Sequence, residues 1–289
     1  QDCLLHTGHG IDRLSIGKSK SDHMNQVKMI QMFKYSIQCF LLVSVLVGCT
    51  TVPETGRRQF MLLSPQQEMQ LGFSSFETMK SNVPISNDPA KNALLKRVGE
   101  RIAAVAKLPN AQWEFVLFDS PEANAFCLPG GKVGVYTGIL PITLNEAGLA
   151  TVIGHEVAHA ENRHGGERVS QGMIQQLGGT LLQSGMAAQG YKTETQAVAA
   201  TVYGMTSQLA YTLPNSRGQE SEADYVGLLR MAEAGYNPEE AVKFWERFRA
   251  YNNQAGGGET PWFLRTHPMD EKRIADLKKW IPEAKARMR

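Results

Sequence analysis

The residues best suited to chemistry lie in one short stretch, His155-Glu156-Val157-Ala158-His159. A helix turns once per 3.6 residues, so residues at i and i+4 project from one face, and His155 and His159 can share one Zn²⁺. Glu156 sits about a quarter turn away, too displaced to join them as a ligand but close enough to accept a proton from a water on the metal. That combination is the chemistry of metal-assisted hydrolysis.

Such a site requires a helix, and the surrounding sequence supplies its signals. Asn145-Glu146 reads as an N-cap with an acidic first turn, and Leu149, Val152, Ile153 and Val157 form an apolar stripe, which predicts an amphipathic helix. Two histidines also need a third protein ligand. Glu220 and Asp224 lie one turn apart on a helix running to Ala234 and capped by Gly235, so the first can ligate while the second accepts the N–H of a ligand imidazole.

Further elements frame these two helices. Ser64-Pro65-Gln66-Gln67 is a capping box opening a helix to about Lys80, and Asp88-Pro89 opens another with Leu94, Leu95, Val98, Ile102 and Val105 on one face. Trp113–Phe118 and Lys132–Tyr136 read as strands of a hairpin, with a turn at Pro129-Gly130-Gly131. An edge strand beside a peptidase metal holds extended peptides by strand addition, which makes Lys132, Val133, Gly134, Val135 and Tyr136 a candidate substrate ledge. Residues 167–212 predict two helices joined near Gly190-Tyr191, too polar and too Gly-rich to cross a membrane. Asn237-Pro238 caps a helix with Val242, Trp245 and Phe248 inward, a Gly-rich loop follows, and a last helix carries Ile274, Leu277 and Trp280. The fold class is therefore α+β: mainly α-helical, with a small β-hairpin or sheet beside the active-site helix.

With 289 residues and 42% hydrophobic content, the chain can bury one catalytic domain plus extensions. Its net charge of +2 and lack of a dense basic tract argue against a nucleic-acid partner. Residues 1–23 read as a non-native or disordered leader, and residues 24–48 as a signal peptide with Lys28 and Lys34 ahead of an apolar run. The run ends in Leu46-Val47-Gly48-Cys49, which resembles the bacterial lipobox, so Cys49 is the expected lipidation site and membrane anchor. Thr50, rather than Asp, resembles cargo sorted to an outer membrane, giving an expected address on the periplasmic face of that membrane in a bacterial envelope. Residues 49–86 would then be a lipidated tether (50–63) and an N-terminal helix, and 87–289 the domain that carries the metal motif. Of the cysteines 3, 39, 49 and 127, only Cys127 would remain unmodified, as a small buried hydrophobe.

Four segments in fixed order resemble peptidase family 48 of the metallo class, the gluzincins of the HtpX, CAAX prenyl protease, BepA and LoiP type. They are Asn124-Ala-Phe-x-x-Pro-Gly-Gly131, His155-Glu-x-x-His159, Ser216-Arg-x-x-Glu220-x-x-Ala-Asp224 and Thr266-His267-Pro268. The resemblance implies a zincin domain with one Zn²⁺ held by His155, His159 and Glu220, Glu156 as general base, and Asp224 supporting a ligand. It implies that His267 approaches the metal, either helping the oxyanion or blocking the water position; Arg217 and Tyr211 are the other oxyanion candidates. It further implies polypeptide substrates, with quality control of misfolded or unassembled envelope proteins as the expected task. The multi-span membrane architecture of some members is absent, which makes the small bacterial lipoproteins the nearer likeness. The competing expectation is a non-catalytic or latent chaperone-like lipoprotein with a structural or His267-blocked zinc.

Overall fold

The computed structural model describes residues 49–254, 262–268 and 270–288. The expected leader and signal peptide lie outside the described residues, and Cys49 is exposed. Strands β1 (Cys49–Thr51) and β2 (Arg58–Phe60) form a small two-stranded sheet. The expected tether is thus not a free linker. Val52 and Met61 are buried, and Glu54 forms ion pairs with Lys107, Arg230 and Arg287 that fasten this stretch to the domain.

Helix α1 (Pro65–Asn82) has the expected capping box, with Ser64 Oγ accepting from Gln67 N and Gln67 Oε1 accepting from Ser64 N. Helix α2 (Pro89–Ala103) is capped by Asp88 and buries Leu95, Val98 and Ile102. The sheet that follows has the order β3 (Glu114–Phe118), β5 (Lys132–Tyr136), β4 (Ala125–Leu128). The hairpin is β4–β5, turned by Gly130 (φ +88°) and Gly131 (φ +83°); β3 runs parallel to β5. Strand β5 is therefore central rather than an edge. Phe76 of α1 meets Phe118 and Phe126 edge-on at centroid distances of 6.3 and 6.1 Å, which seats the helix on the sheet.

A short helix, α3 (Leu140–Thr143), leads into α4 (Glu146–Glu161), whose N-cap Asn145 accepts from Gly148 N. Every residue of α4 from Gly148 to Ala160 is buried, so it is the central helix rather than a half-exposed amphipathic one. Strand β4, α2, α7 (Leu213–Glu233) and α8 (Glu239–Gln254) surround it. Its apolar residues join Leu228, Leu229, Phe244, Trp245 and Phe248 in the main core. Between α4 and α7 stands a helical hairpin, α5 (His164–Ala188) and α6 (Thr193–Ser207), joined at Gly190 as expected. The chain closes with α9 (Trp262–Thr266) and α10 (Glu271–Ala286), the latter burying Ile274 and Leu277. No helix among the described residues is long and apolar enough to cross a membrane.

Candidate active site

Two glycines set the site. A Cβ on Gly227 of α7 would lie 2.8 Å from His155 N and 2.9 Å from Gly154 C and O, so the two helices cross backbone to backbone immediately beside the first histidine. Toward its N-terminus α7 then lays Glu220 and Asp224 alongside the histidine face of α4. His155 Nε2 and His159 Nε2 stand 3.1 Å apart. Glu220 reaches both, with Oε2 3.3 Å from His155 Nε2 and Oε1 3.4 Å from His159 Nε2. Asp224 Oδ1 lies 3.1 Å from His155 Nδ1, the nitrogen turned away from the cluster.

His155, His159, Glu220 and His267 are all buried, and their ligand atoms lie within 4.8 Å of one another. The donor set fits a divalent cation on two observations. Two imidazole nitrogens and both oxygens of one carboxylate converge at contact distance from separate helices, which is the donor set a zinc ion takes. Moreover, Glu220 Oε1 is buried without a hydrogen-bond partner among the described residues, as is Glu156 Oε1. Soft-to-borderline nitrogen donors with one carboxylate match Zn²⁺ rather than Ca²⁺ or Mg²⁺.

Without a cation the protein groups hold the two imidazoles in different charge states, and metal binding must displace the proton of His155. Burial drives His159 well below the ordinary imidazole pKa, which leaves it neutral. Burial also opposes charge on His155, but the carboxylates of Asp224 and Glu220 outweigh it and raise this group to about 9. For Glu220 burial opposes ionisation, and the imidazoles of His159 and His267 overcome it, holding the carboxyl well below its usual range. Burial raises Glu156, the direction required of a carboxylate that takes a proton from water near neutral pH.

Glu156 faces a cleft of about 340 Å³ whose walls include Asn124 to Pro129, His159, Arg163, Arg168 and His267. His267 Nε2 lies 3.4 Å from Glu156 Oε1, while its Nδ1 is 2.9 Å from Glu220 Oε2 and 3.2 Å from His155 Nε2. Residues 132–136 do not form the ledge expected of them. Strand β5 is paired on both sides, by β3 and β4, and has no free edge to offer a peptide; among the described residues the strand on the cleft with one edge unpaired is β4. Arg217 is exposed and does not line the cleft, and the side chain of Tyr211 lies outside the described residues. Cys127 is only partly buried, on the cleft wall.

Two arginines at the site carried no sequence signal. Arg168 Nη2 lies 3.2 Å from His159 Nδ1 and 3.8 Å from Glu220 Oε1. Arg273 grips Asp224 with two hydrogen bonds of 2.6 and 2.8 Å. Neither stands in a recognisable motif, because an isolated arginine on a helix reads as a solvated charge; the fold buries Arg273 and leaves Arg168 exposed at the rim of the site.

Residues 89–281, well over half of the chain, match Peptidase family M48. The mitochondrial metalloendopeptidase OMA1 of Schizosaccharomyces pombe is 32% identical over 252 residues, 82% of this chain and 67% of that protein. OMA1 of Saccharomyces cerevisiae is 32% identical over 248 residues, covering 80% of this chain and 69% of the relative. The beta-barrel assembly-enhancing protease of Escherichia coli (strain K12) is 27% identical over 266 residues, 86% of this chain but 53% of its own length. With the zinc motif on a buried helix and a carboxylate helix crossing it, the chain belongs to peptidase family M48 and is a metallopeptidase.

Proposed function

We propose that the protein is a zinc-dependent endopeptidase in which His155, His159 and Glu220 hold one Zn²⁺ and Glu156 is the general base. The observation that carries this reading is the convergence of three buried donors from α4 and α7 beside a carboxylate that opens on a cleft. When bound, Zn²⁺ supplies a Lewis acid that polarises the scissile carbonyl and makes water acidic near neutral pH. Glu156 accepts a proton from the attacking water and returns one to the leaving amine. Asp224, held by Arg273, orients His155. Arg168 and His267 border the cleft and can donate hydrogen bonds to the developing oxyanion. An extended polypeptide adds to the free edge of β4, which brings its backbone past Glu156. The Glu156→Gln variant tests this: it should bind zinc as the parent does and lose cleavage of an unfolded protein by a factor of ~10² or more. Cleavage near the parental rate removes Glu156 from the role.

The position of His267 favours a second state of the same site. Its Nδ1 stands as a fourth donor among the ligand atoms, where a water would enter. A latent enzyme opened by movement of His267 gives higher activity in His267→Ala, whereas an oxyanion role gives a loss.

We also propose that the protein is lipid-anchored at Cys49 in a bacterial envelope and acts there on unassembled envelope proteins. The lipobox-like sequence supports this, as does a relative named for beta-barrel assembly. Cys49→Ser should then move the protein from the membrane to the soluble fraction. An unchanged distribution sinks the anchor.

A further inference from the structure

We infer that His164 and Glu222 position the zinc ligand His159, and that Arg57, in the segment between β1 and β2, holds this pair in place. The N-terminal segment thereby sets metal affinity. This rests on the zinc assignment above.

An imidazole that ligates through Nε2 must carry its proton on Nδ1, and that N–H needs an acceptor. For His155 the group in reach is Asp224. For His159 two groups come within reach of Nδ1: His164 Nδ1 at 2.8 Å and Arg168 Nη2 at 3.2 Å. A guanidinium only donates, so His164 Nδ1 must accept. That choice places the proton of neutral His164 on Nε2, and Glu222 Oε2 lies 2.8 Å from it. The order of protons is fixed along the line: His159 N–H to His164, and His164 N–H to the Glu222 carboxylate. His164 is fully buried and the Glu222 side chain is 5% exposed, so water does not readily replace either member.

The far end of the line is fastened by the N-terminal segment. Arg57 Nε donates to Glu222 Oε2 at 2.9 Å, and Thr55 Oγ1 donates to Glu222 Oε1. The same guanidinium donates through both Nη atoms to Glu167 of α5, at 3.0 and 2.9 Å. Arg57 therefore ties α5, which carries His164, to α7, which carries Glu222 and the ligand Glu220. Without His164 the group left beside His159 Nδ1 is Arg168, a donor. It favours the opposite tautomer, in which Nε2 bears the proton and cannot ligate.

The test measures zinc dissociation constants of the full chain by competition with a chromophoric chelator, together with melting of the zinc-free protein and the visible spectrum of the Co²⁺ form. His164→Ala should weaken zinc binding about 10- to 100-fold and shift the Co²⁺ bands. Glu222→Leu and Arg57→Ala should weaken it in the same direction by smaller factors, and His164→Gln, whose amide oxygen can accept from His159, should recover most of the loss. Zinc affinity within twofold of the parent in folded His164→Ala and Glu222→Leu overturns the positioning role, while His155→Ala still abolishing binding keeps the zinc assignment. If His164→Ala does not fold, unchanged affinity in Glu222→Leu and Arg57→Ala overturns it equally. If His155→Ala leaves affinity unchanged, the zinc assignment itself falls.

Discussion

Replacing Gly227 with alanine probes whether the close crossing of α4 and α7 builds the site. In an open helix this change stabilises by about 1 kcal/mol, because alanine loses less backbone freedom on folding. Here the new methyl would meet His155 N at 2.8 Å and Gly154 C and O at 2.9 Å. Ordinary carbon contacts begin near ~3.5 Å, so the helices must separate by roughly 0.6–0.7 Å. The opposing atoms are backbone and cannot rotate aside, and such overpacking costs about 1–3 kcal/mol. Set against the propensity gain, this leaves a net loss of up to about 2 kcal/mol and a fall in Tm of up to ~8 °C for a domain of this size. The same separation carries Glu220 away from His155 and His159, where ligand distances tolerate about 0.2 Å. Zinc affinity should drop at least about tenfold. Gly218, on the same helix with open space around its Cβ position, is the control, and Gly218→Ala should raise Tm slightly. The assays are thermal melting of the zinc-free protein and chelator competition. If Gly227→Ala also raises Tm and binds zinc as tightly as the parent, the crossing does not set the site and the reasoning fails.

Other expectations follow from the charged network. Arg273→Ala leaves the buried Asp224 carboxylate without its two-pronged partner and should cost about 3–5 kcal/mol, read by denaturant unfolding; Asp224→Asn in the same background should return part of that loss. Burial opposes charge on Glu54, but hydrogen bonds from Lys107, Arg287 and Arg230 outweigh it and hold its pKa at about 2, below the unfolded 4.5. A depressed carboxylate contributes stability above the unfolded value and loses it as pH falls, so Glu54→Gln should destabilise the protein at pH 7 and converge with the parent between pH 4.5 and about 2. Equal stabilities at pH 7 would count against that cluster. Chelation of the metal should lower Tm of the parent more than that of His155→Ala, since only a folded site gains from binding.

Much of the site was legible because it is local. The spacing of His155 and His159, and of Glu220 and Asp224, translates directly into shared helix faces, and the caps at Ser64, Asp88 and Asn145 satisfy backbone groups within a few residues. The strands Glu114–Phe118 and Lys132–Tyr136 were legible for the same reason, but β1, β2, β4 and the sheet order were not. Alternation and turn signals are silent on which strand lies in the middle, so β5 was expected at the edge that β4 occupies.

By itself, then, the sequence determined which residues could bind a metal and which helix would carry them, since periodicity is a property of the backbone alone. Tertiary structure decided that α7 lies against α4 at Gly154 and Gly227, and that Arg57 and Arg273 brace the acidic groups behind the candidate ligands. Those contacts join residues far apart in the chain. They form only once burial of the common core has met the cost of bringing the helices together, and a glycine or a lone arginine gives no sign beforehand of the surface it will touch.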